Sequence, residues 1–408
     1  MKSNNITIFE TIKAGAGYLK KNNGDIPDCF KESLLLMSYV LNIPIEKIII
    51  NYESKISKNK LKVFNGYIAR RAKKEPFAYI IKNKEFYSID FFVNKNVLIP
   101  RPDTEILVDE SLKEINRLNA RINNDNNDNY NNYNGINNGI DNNINNNNKK
   151  ADNNNYKNYN GNYNDSSINN NNNNNNIDKN ITAIDLGTGS GAVAVSIAKN
   201  YQYSNIEIYA ADNSFRALNV ARKNVILNNV ENKIKLTYFN ILNQNICWYN
   251  EYKKKYDAHF YKFDIIISNP PYIISSDIEL LSDEVKNYEP YKALDGGVDG
   301  LKFYRKIFEL FSSAIENSAD NSPINKELCL ILEIDYRYKE EIKKIYELTF
   351  YNNDNRYNKY DNNNRKEYKH KINIKNNKNN PNNITINFIK DISGKERVAK
   401  INYGKNNN

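Results

Sequence analysis

The chain has 408 residues, of which 40% are hydrophobic, and carries a formal net charge of +10 with three cysteines and two histidines. The scattered Cys29, Cys247 and Cys329 form no CxxC pair, and His259 and His370 stand alone; this argues against a metal centre and against histidine acid/base chemistry, and fits a reducing compartment. No apolar run is long enough to span a bilayer, and Met1–Glu10 lack a signal-peptide core, so the expectation is a soluble cytoplasmic protein, an organelle being the other compartment that fits. From Tyr351 to Asn383 there are eight Lys/Arg against three Asp/Glu, a net +5; half the charge excess thus lies in one low-complexity tract, which speaks against nucleic acid as a direct substrate.

Residues 1–80 read as a small helical domain. Ile8, Ile12, Ala16 and Leu19 recur at helical spacing. Phe30–Leu41 follows the start signal Asp25-Ile26-Pro27-Asp28, and Pro44 opens a third helix. A fourth, Leu61–Lys74, ends in Arg70, Arg71, Lys73 and Lys74. That cluster suits a helix C-terminus, with an acidic or phosphate-bearing partner as the second reading. Residues 81–105 read as a β-hairpin linker: Glu85–Asn94, a turn at Lys95-Asn96, then Val97–Ile99. Pro100-Arg101-Pro102-Asp103-Thr104-Glu105 follows, with Asp103 or Thr104 expected to cap a helix over Ile106–Leu118. Residues 119–180 and 351–383 are Asn-rich, aperiodic and expected to be disordered insertions.

The remainder of residues 106–408 alternates strand and helix. Strands are expected at Thr182–Leu186, Ile206–Ala211, Ile234–Phe239, Phe263–Ser268 and Glu327–Ile334, then a hairpin of Ile384–Lys390 and Arg397–Tyr403. Helices fall at Ala192–Lys199, Phe215–Asn228 and Gly300–Glu316. The pattern predicts an α/β fold with a mostly parallel sheet and an antiparallel edge.

Two motifs carry chemistry. The first is Asp185-Leu186-Gly187-Thr188-Gly189-Ser190-Gly191, between a strand and a helix. Glycines there permit a tight turn and close approach of a ligand to the backbone. Asp212 ends the next strand, 21 residues after Gly191, where a carboxylate can accept both ribose hydroxyls of an adenosine. The second is Asn269-Pro270-Pro271-Tyr272, which stops the buried strand Phe263–Ser268. The Asn269 side-chain oxygen and the Pro270 carbonyl can accept the two N–H groups of a planar amide or amine, the prolines hold those acceptors rigid, and Tyr272 can pack on the planar group.

These motifs together resemble the class I S-adenosylmethionine-dependent methyltransferases that methylate planar nitrogens. Ile99–Glu105 with Phe86, Tyr288-Glu289-Pro290, Ala293–Gly297 with Asp299-Gly300-Leu301, and Asp391–Val398 resemble signatures of the PrmC/HemK family. The resemblance implies a Rossmann-like, seven-stranded sheet with an N-terminal helical domain that helps dock the substrate. It implies S-adenosylmethionine as cofactor, held by Gly187, Thr188, Gly189, Ser190, Gly191, Asp212, Asn240, Ile241 and Asn269. It further implies methyl transfer by Asn269, Pro270 and Tyr272, which with Pro271 also bind the substrate, to the Gly-Gly-Gln glutamine of bacterial-type class I release factors; a monomer is expected. Asn240 departs from the family, which usually has an acidic residue there. The alternatives are a nucleic-acid N-methyltransferase using the same tetrapeptide and an inactive binding protein of the same fold.

Overall fold

The computed structural model describes residues 6–137, 180–243, 248–250, 255–256, 260–321, 327–351 and 383–404. The first helices are α1 (Ile8–Asn22), α2 (Cys29–Leu41), α3 (Ile45–Ile50), α4 (Lys58–Ala72) and α5 (Phe77–Ile81). Their apolar stripes meet in one core around Ile12, Leu19, Leu36, Met37, Phe64 and Ile68. Asp28 caps α2 by accepting from the Lys31 N–H, as its place in the sequence suggests.

Two of the cations at the end of α4, Arg71 and Lys74, are spent on carboxylates of other elements. Arg71 is 4% exposed and pairs with Glu32 of α2 at 2.7 Å and with Glu284. Lys74 reaches Asp25 at 2.8 Å and Asp283 at 2.6 Å. Asp283 and Glu284 belong to α9 (Asp283–Tyr288), and Tyr288 Oη donates to the Lys73 carbonyl. The cluster therefore clamps the helical domain to the segment that follows Asn269–Tyr272.

The hairpin differs from expectation. Strands β1 (Lys84–Phe86) and β2 (Ile89–Phe91) are joined by Tyr87-Ser88, not by Lys95-Asn96. Tyr87 and Ser88 have φ of 53° and 57°, the two left-handed residues of a primed hairpin turn, without the usual Asn-Gly. Tertiary bonds hold them there: the Tyr87 N–H donates to Glu105 and its hydroxyl to Asp109. Phe86 and Phe91 bury their rings edge-to-face, so Phe86 is a core residue.

The helix expected over Ile106–Leu118 also differs. Pro102–Thr104 forms a 3-10 turn that runs straight into α6 (Glu105–Asn137), and neither Asp103 nor Thr104 is spent as a simple cap. Asp103 pairs with Arg397 at 2.8 Å, and Thr104 faces Asn269. Tertiary contacts carry α6 past Leu118: Asn119 is buried and accepts from Asn205, and Arg121 pairs with Glu327. The expected first insertion therefore opens as helix; residues 138–179 and 352–382, where the rest of both Asn-rich tracts falls, lie outside the described residues, as do Cys247, His259 and His370.

The sheet is built from β3 (Ile181–Leu186), β4 (Ile206–Asp212), β5 (Ile234–Tyr238), the short β6 (Trp248–Asn250) and β7 (Lys255–Tyr256), β8 (Ile265–Ser268), β11 (Leu328–Glu333), β12 (Ile384–Lys390) and β13 (Glu396–Tyr403). Strands β9 (Ile273–Ile274) and β10 (Asp295–Gly297) pair apart from it. The order is β12-β13-β11-β8-β3-β4-β5-β6-β7. The five central strands from β11 to β5 are parallel, and β12, β13, β6 and β7 add antiparallel edges. Every residue of β8 and β11 is buried, which explains their continuous apolar runs. One face is covered by α6, α7 (Ala192–Asn200) and α8 (Phe215–Leu227). The other is covered by α10 (Lys302–Asn321) and α11 (Lys339–Phe350).

Candidate active site

Register places the site. Leu332 of β11 pairs with Ser268 of β8, Ser268 with Leu186 of β3, and Leu186 with Ala211 of β4. The next residue on each chain is Glu333, Asn269, Gly187 and Asp212. Four elements far apart in sequence thus leave the sheet along one line at its carboxyl edge. Between β3 and β8 the strand order reverses, and such a switch point opens a ligand crevice. The Ser268 hydroxyl, fully buried, donates to the Leu186 carbonyl and ties the two motif-bearing strand ends together.

The glycine loop has the expected backbone. Gly187, Gly189 and Gly191 have φ of 78°, 56° and 80°. The N–H groups of Gly187 and Thr188 both donate to the Ala211 carbonyl, pinning the loop to the end of β4. A Cβ on Gly191 would press Ala221 at 3.3 Å, so this glycine serves close packing of the loop on α8. A Cβ on Gly187 would meet nothing within 4 Å, and one on Gly189 only the loop's own Gly187 carbonyl at 3.9 Å. These two positions leave room for a ligand against bare backbone. Asp185 is 2% exposed and accepts the Thr188 hydroxyl at 2.6 Å; Ser190 is buried, and its carbonyl accepts from Asn224.

Asp212 accepts the Gly189 N–H at 3.0 Å and the Ser214 N–H at 2.9 Å. It is half-buried, and its carboxylate shapes the loop at the end of β4. A carboxylate at this strand end and an open Gly187–Gly189 backbone fit an adenosine-bearing cofactor. Asn240 spends its Oδ1 on the Leu242 N–H at 3.1 Å, which leaves its amide donors as what it can offer. Ile241 is 7% exposed and packs in the core beside Phe239 and Phe260. Among the described residues no cluster of His, Cys, Asp or Glu is arranged to hold a metal, and no helix is long and apolar enough to cross a membrane.

Asn269 is half-buried and Pro270 buried. The Asn269 Nδ2 donates to Thr104 Oγ1 at 3.1 Å, so Oδ1 is the atom left for a substrate. Tyr272 packs against the core of the α10–α11 face, and burial pushes its hydroxyl well above the ordinary tyrosine value, so it acts as a neutral ring. Glu289 (5% exposed) accepts from the Ile99 N–H at 3.2 Å and pairs with Arg101 at 2.5 Å, which fastens the Pro-Arg-Pro loop to the segment after the tetrapeptide. Sequence reasoning left Thr104 as a cap and passed over Glu333. The available signal was a carboxylate closing the otherwise apolar run Leu328–Glu333 at the sheet's active edge.

Three carboxyls, Asp185 and Glu333 buried and Asp212 half-buried, give this edge a pH signature. Burial pushes Asp185 up to about 7, Asp212 to about 6 and Glu333 to about 7. In the unfolded chain they ionise near their ordinary values, so between those values and about 7 the fold holds more protons, and stability falls as pH rises through that window. The melting temperature of the ligand-free protein should therefore decline from about pH 5 to about pH 8 in calorimetry. A flat or rising curve would mean that these groups are ionised in the fold throughout.

The strand order, the glycine loop with its acidic neighbour and the tetrapeptide at the switch point define a class I methyltransferase. Residues 172–281 match the methyltransferase small domain family and residues 10–81 the PrmC N-terminal domain family. The release factor glutamine methyltransferase of Clostridium acetobutylicum is 33% identical over 298 residues, covering 73% of this chain and 78% of that protein. That of Thermodesulfovibrio yellowstonii is 32% identical over 289 residues, covering 71% and 76%. The chain belongs to the release factor glutamine methyltransferase family. It also resembles the bifunctional methyltransferase of Rickettsia felis, 31% identical over 338 residues and 82% of this chain, but spans only 52% of that protein's length.

Proposed function

We propose that the chain methylates the side-chain amide nitrogen of the glutamine in the Gly-Gly-Gln motif of peptide chain release factors, with S-adenosylmethionine as donor. The observation that carries this reading is the in-register row that brings Gly187, Asp212 and Asn269 to one crevice. S-adenosylmethionine, when bound, supplies an electrophilic methyl on a good leaving group. Gly187–Gly191 and Asp212 are the residues to hold it. An amide nitrogen is a poor nucleophile because its lone pair is delocalised. Asn269 Oδ1 and the Pro270 carbonyl accept its two N–H groups and orient it, and Tyr272 supports the planar group. The helical domain over residues 1–80, joined by 81–105 to the catalytic domain over 106–408, docks the release factor. Pro270 and Pro271 limit reorganisation of the acceptors.

The test incubates the protein with labelled S-adenosylmethionine and purified release factor, then locates the methyl by peptide mass spectrometry. The expected result is one methyl on the Gly-Gly-Gln glutamine. Label on RNA with none on the release factor would overturn the reading.

A further inference from the structure

Asn269 can serve the reaction only in one of its two amide orientations. With Nδ2 toward the protein, Oδ1 is free to accept a substrate N–H; with the amide flipped, the substrate would meet a donor instead. A carboxylate that can bear on the flip lies one strand over. Glu333 is next to Asn269 in the parallel register of β8 and β11, is 3% exposed, and has one carboxylate oxygen, Oε2, without a hydrogen-bond partner. Burial favours its neutral form, and the side chains of Thr104 and Asn269, both in hydrogen-bonding reach of its carboxyl, work against that by favouring the ionised form. Thr104 Oγ1 in turn accepts from Asn269 Nδ2.

We propose that Glu333 is a positioning residue that sets the direction of the chain Asn269 amide to Thr104 hydroxyl to Glu333 carboxylate, and so fixes Asn269 with its oxygen toward the substrate. The inference rests on the functional reading above. An ionised carboxylate only accepts. The Thr104 hydroxyl must then donate to it, which leaves Oγ1 to accept from Nδ2. A protonated Glu333, or a glutamine in its place, can donate as well, and the flipped amide is then equally well bonded. The other charged or titratable groups facing Glu333 are Asp103 from the 3-10 turn, Arg397 from β13, Asp335 just past β11, Tyr272 and Tyr304. Arg397 stays cationic and is paired with Asp103 and Asp391; Asp335 is held below its ordinary value, and both tyrosines are raised above theirs.

The test measures turnover and KM for the release factor from about pH 6 to about pH 9 in wild type, E333Q, T104V and T104S. Wild-type turnover should rise to a plateau as Glu333 ionises. E333Q should lose about tenfold, the equivalent of one misdirected hydrogen bond, with a flattened pH profile and with KM and cofactor affinity within about threefold. T104V should lose a similar factor, and T104S should restore most of it. At about pH 8 E333Q should melt no lower than wild type, because a buried charge has been removed. The side-chain amide resonance of Asn269, assigned by its loss in Asn269→Ala, should move with pH in wild type and not in E333Q. That last readout needs no substrate, so it judges Glu333 even if the release factor proves not to be methylated. Wild-type turnover and pH profile in E333Q, or an amide signal indifferent to residue 333, would overturn the proposal.

Discussion

Asn269→Ala should abolish most methyl transfer while sparing the cofactor site. Removing a preorganised group that acts on the reacting atoms costs about 10²–10³ in turnover, or about 3–4 kcal/mol. The cofactor elements do not depend on this side chain: Gly187 and Thr188 are pinned by the Ala211 carbonyl, and Asp212 by the Gly189 and Ser214 N–H groups. Binding of S-adenosylmethionine, followed by calorimetry, should change by no more than about threefold, the scale of a lost peripheral contact. The fold should also persist, because Asn269 is only half-buried and its side chain bonds at the sheet's edge, to Thr104. Asn269→Asp is the informative companion. It keeps an acceptor but removes the donor to Thr104 and sets a second carboxylate beside Glu333, so it should fall well below wild type too. Unchanged turnover in Asn269→Ala would remove the side chain from the mechanism.

The centre of the parallel core was legible because β8 and β11 are buried on both faces and therefore read as apolar runs, Ile265-Ile266-Ile267 being the clearest. The glycine loop was legible because only glycine tolerates its three positive φ angles cheaply. What sequence could not supply was register. Nothing local connects Glu333 to Asn269 or Thr104; they meet because β11 and β8 pair without offset and the 3-10 turn of Pro102–Thr104 folds over the same edge. The misplaced hairpin turn has the same origin. Tyr87-Ser88 carries no turn chemistry of its own and is held left-handed by Glu105 and Asp109, which lie beyond the hairpin. The α4 cations likewise read as a helix C-terminal cluster, and only the structure shows that Arg71 and Lys74 pair with α9.

Gly296→Ala should be among the most damaging single-methyl changes near this site. Gly296 lies in β10, buried against β9, whose strand follows the tetrapeptide. A Cβ there would stand 2.7 Å from the Tyr272 Cα and 2.8 Å from the Tyr272 carbonyl carbon and the Gly300 carbonyl oxygen. All three are backbone atoms, so no side-chain rotation relieves the contact. The β9–β10 pair must part, and Tyr272 must move with it. Overpacking of this kind costs about 1–3 kcal/mol and should lower the melting temperature. Turnover should drop by at least about tenfold, since a 1 Å displacement of positioning groups costs up to about 10²-fold. Gly17→Ala supplies the control. Gly17 is exposed within α1, and a Cβ there meets nothing within 4 Å. The same methyl should stabilise that helix by about 0.5–1 kcal/mol and leave turnover alone. If Gly296→Ala instead melts and turns over like Gly17→Ala, Tyr272 is not held by the glycines of β10, and its placement must come from the core beneath its ring.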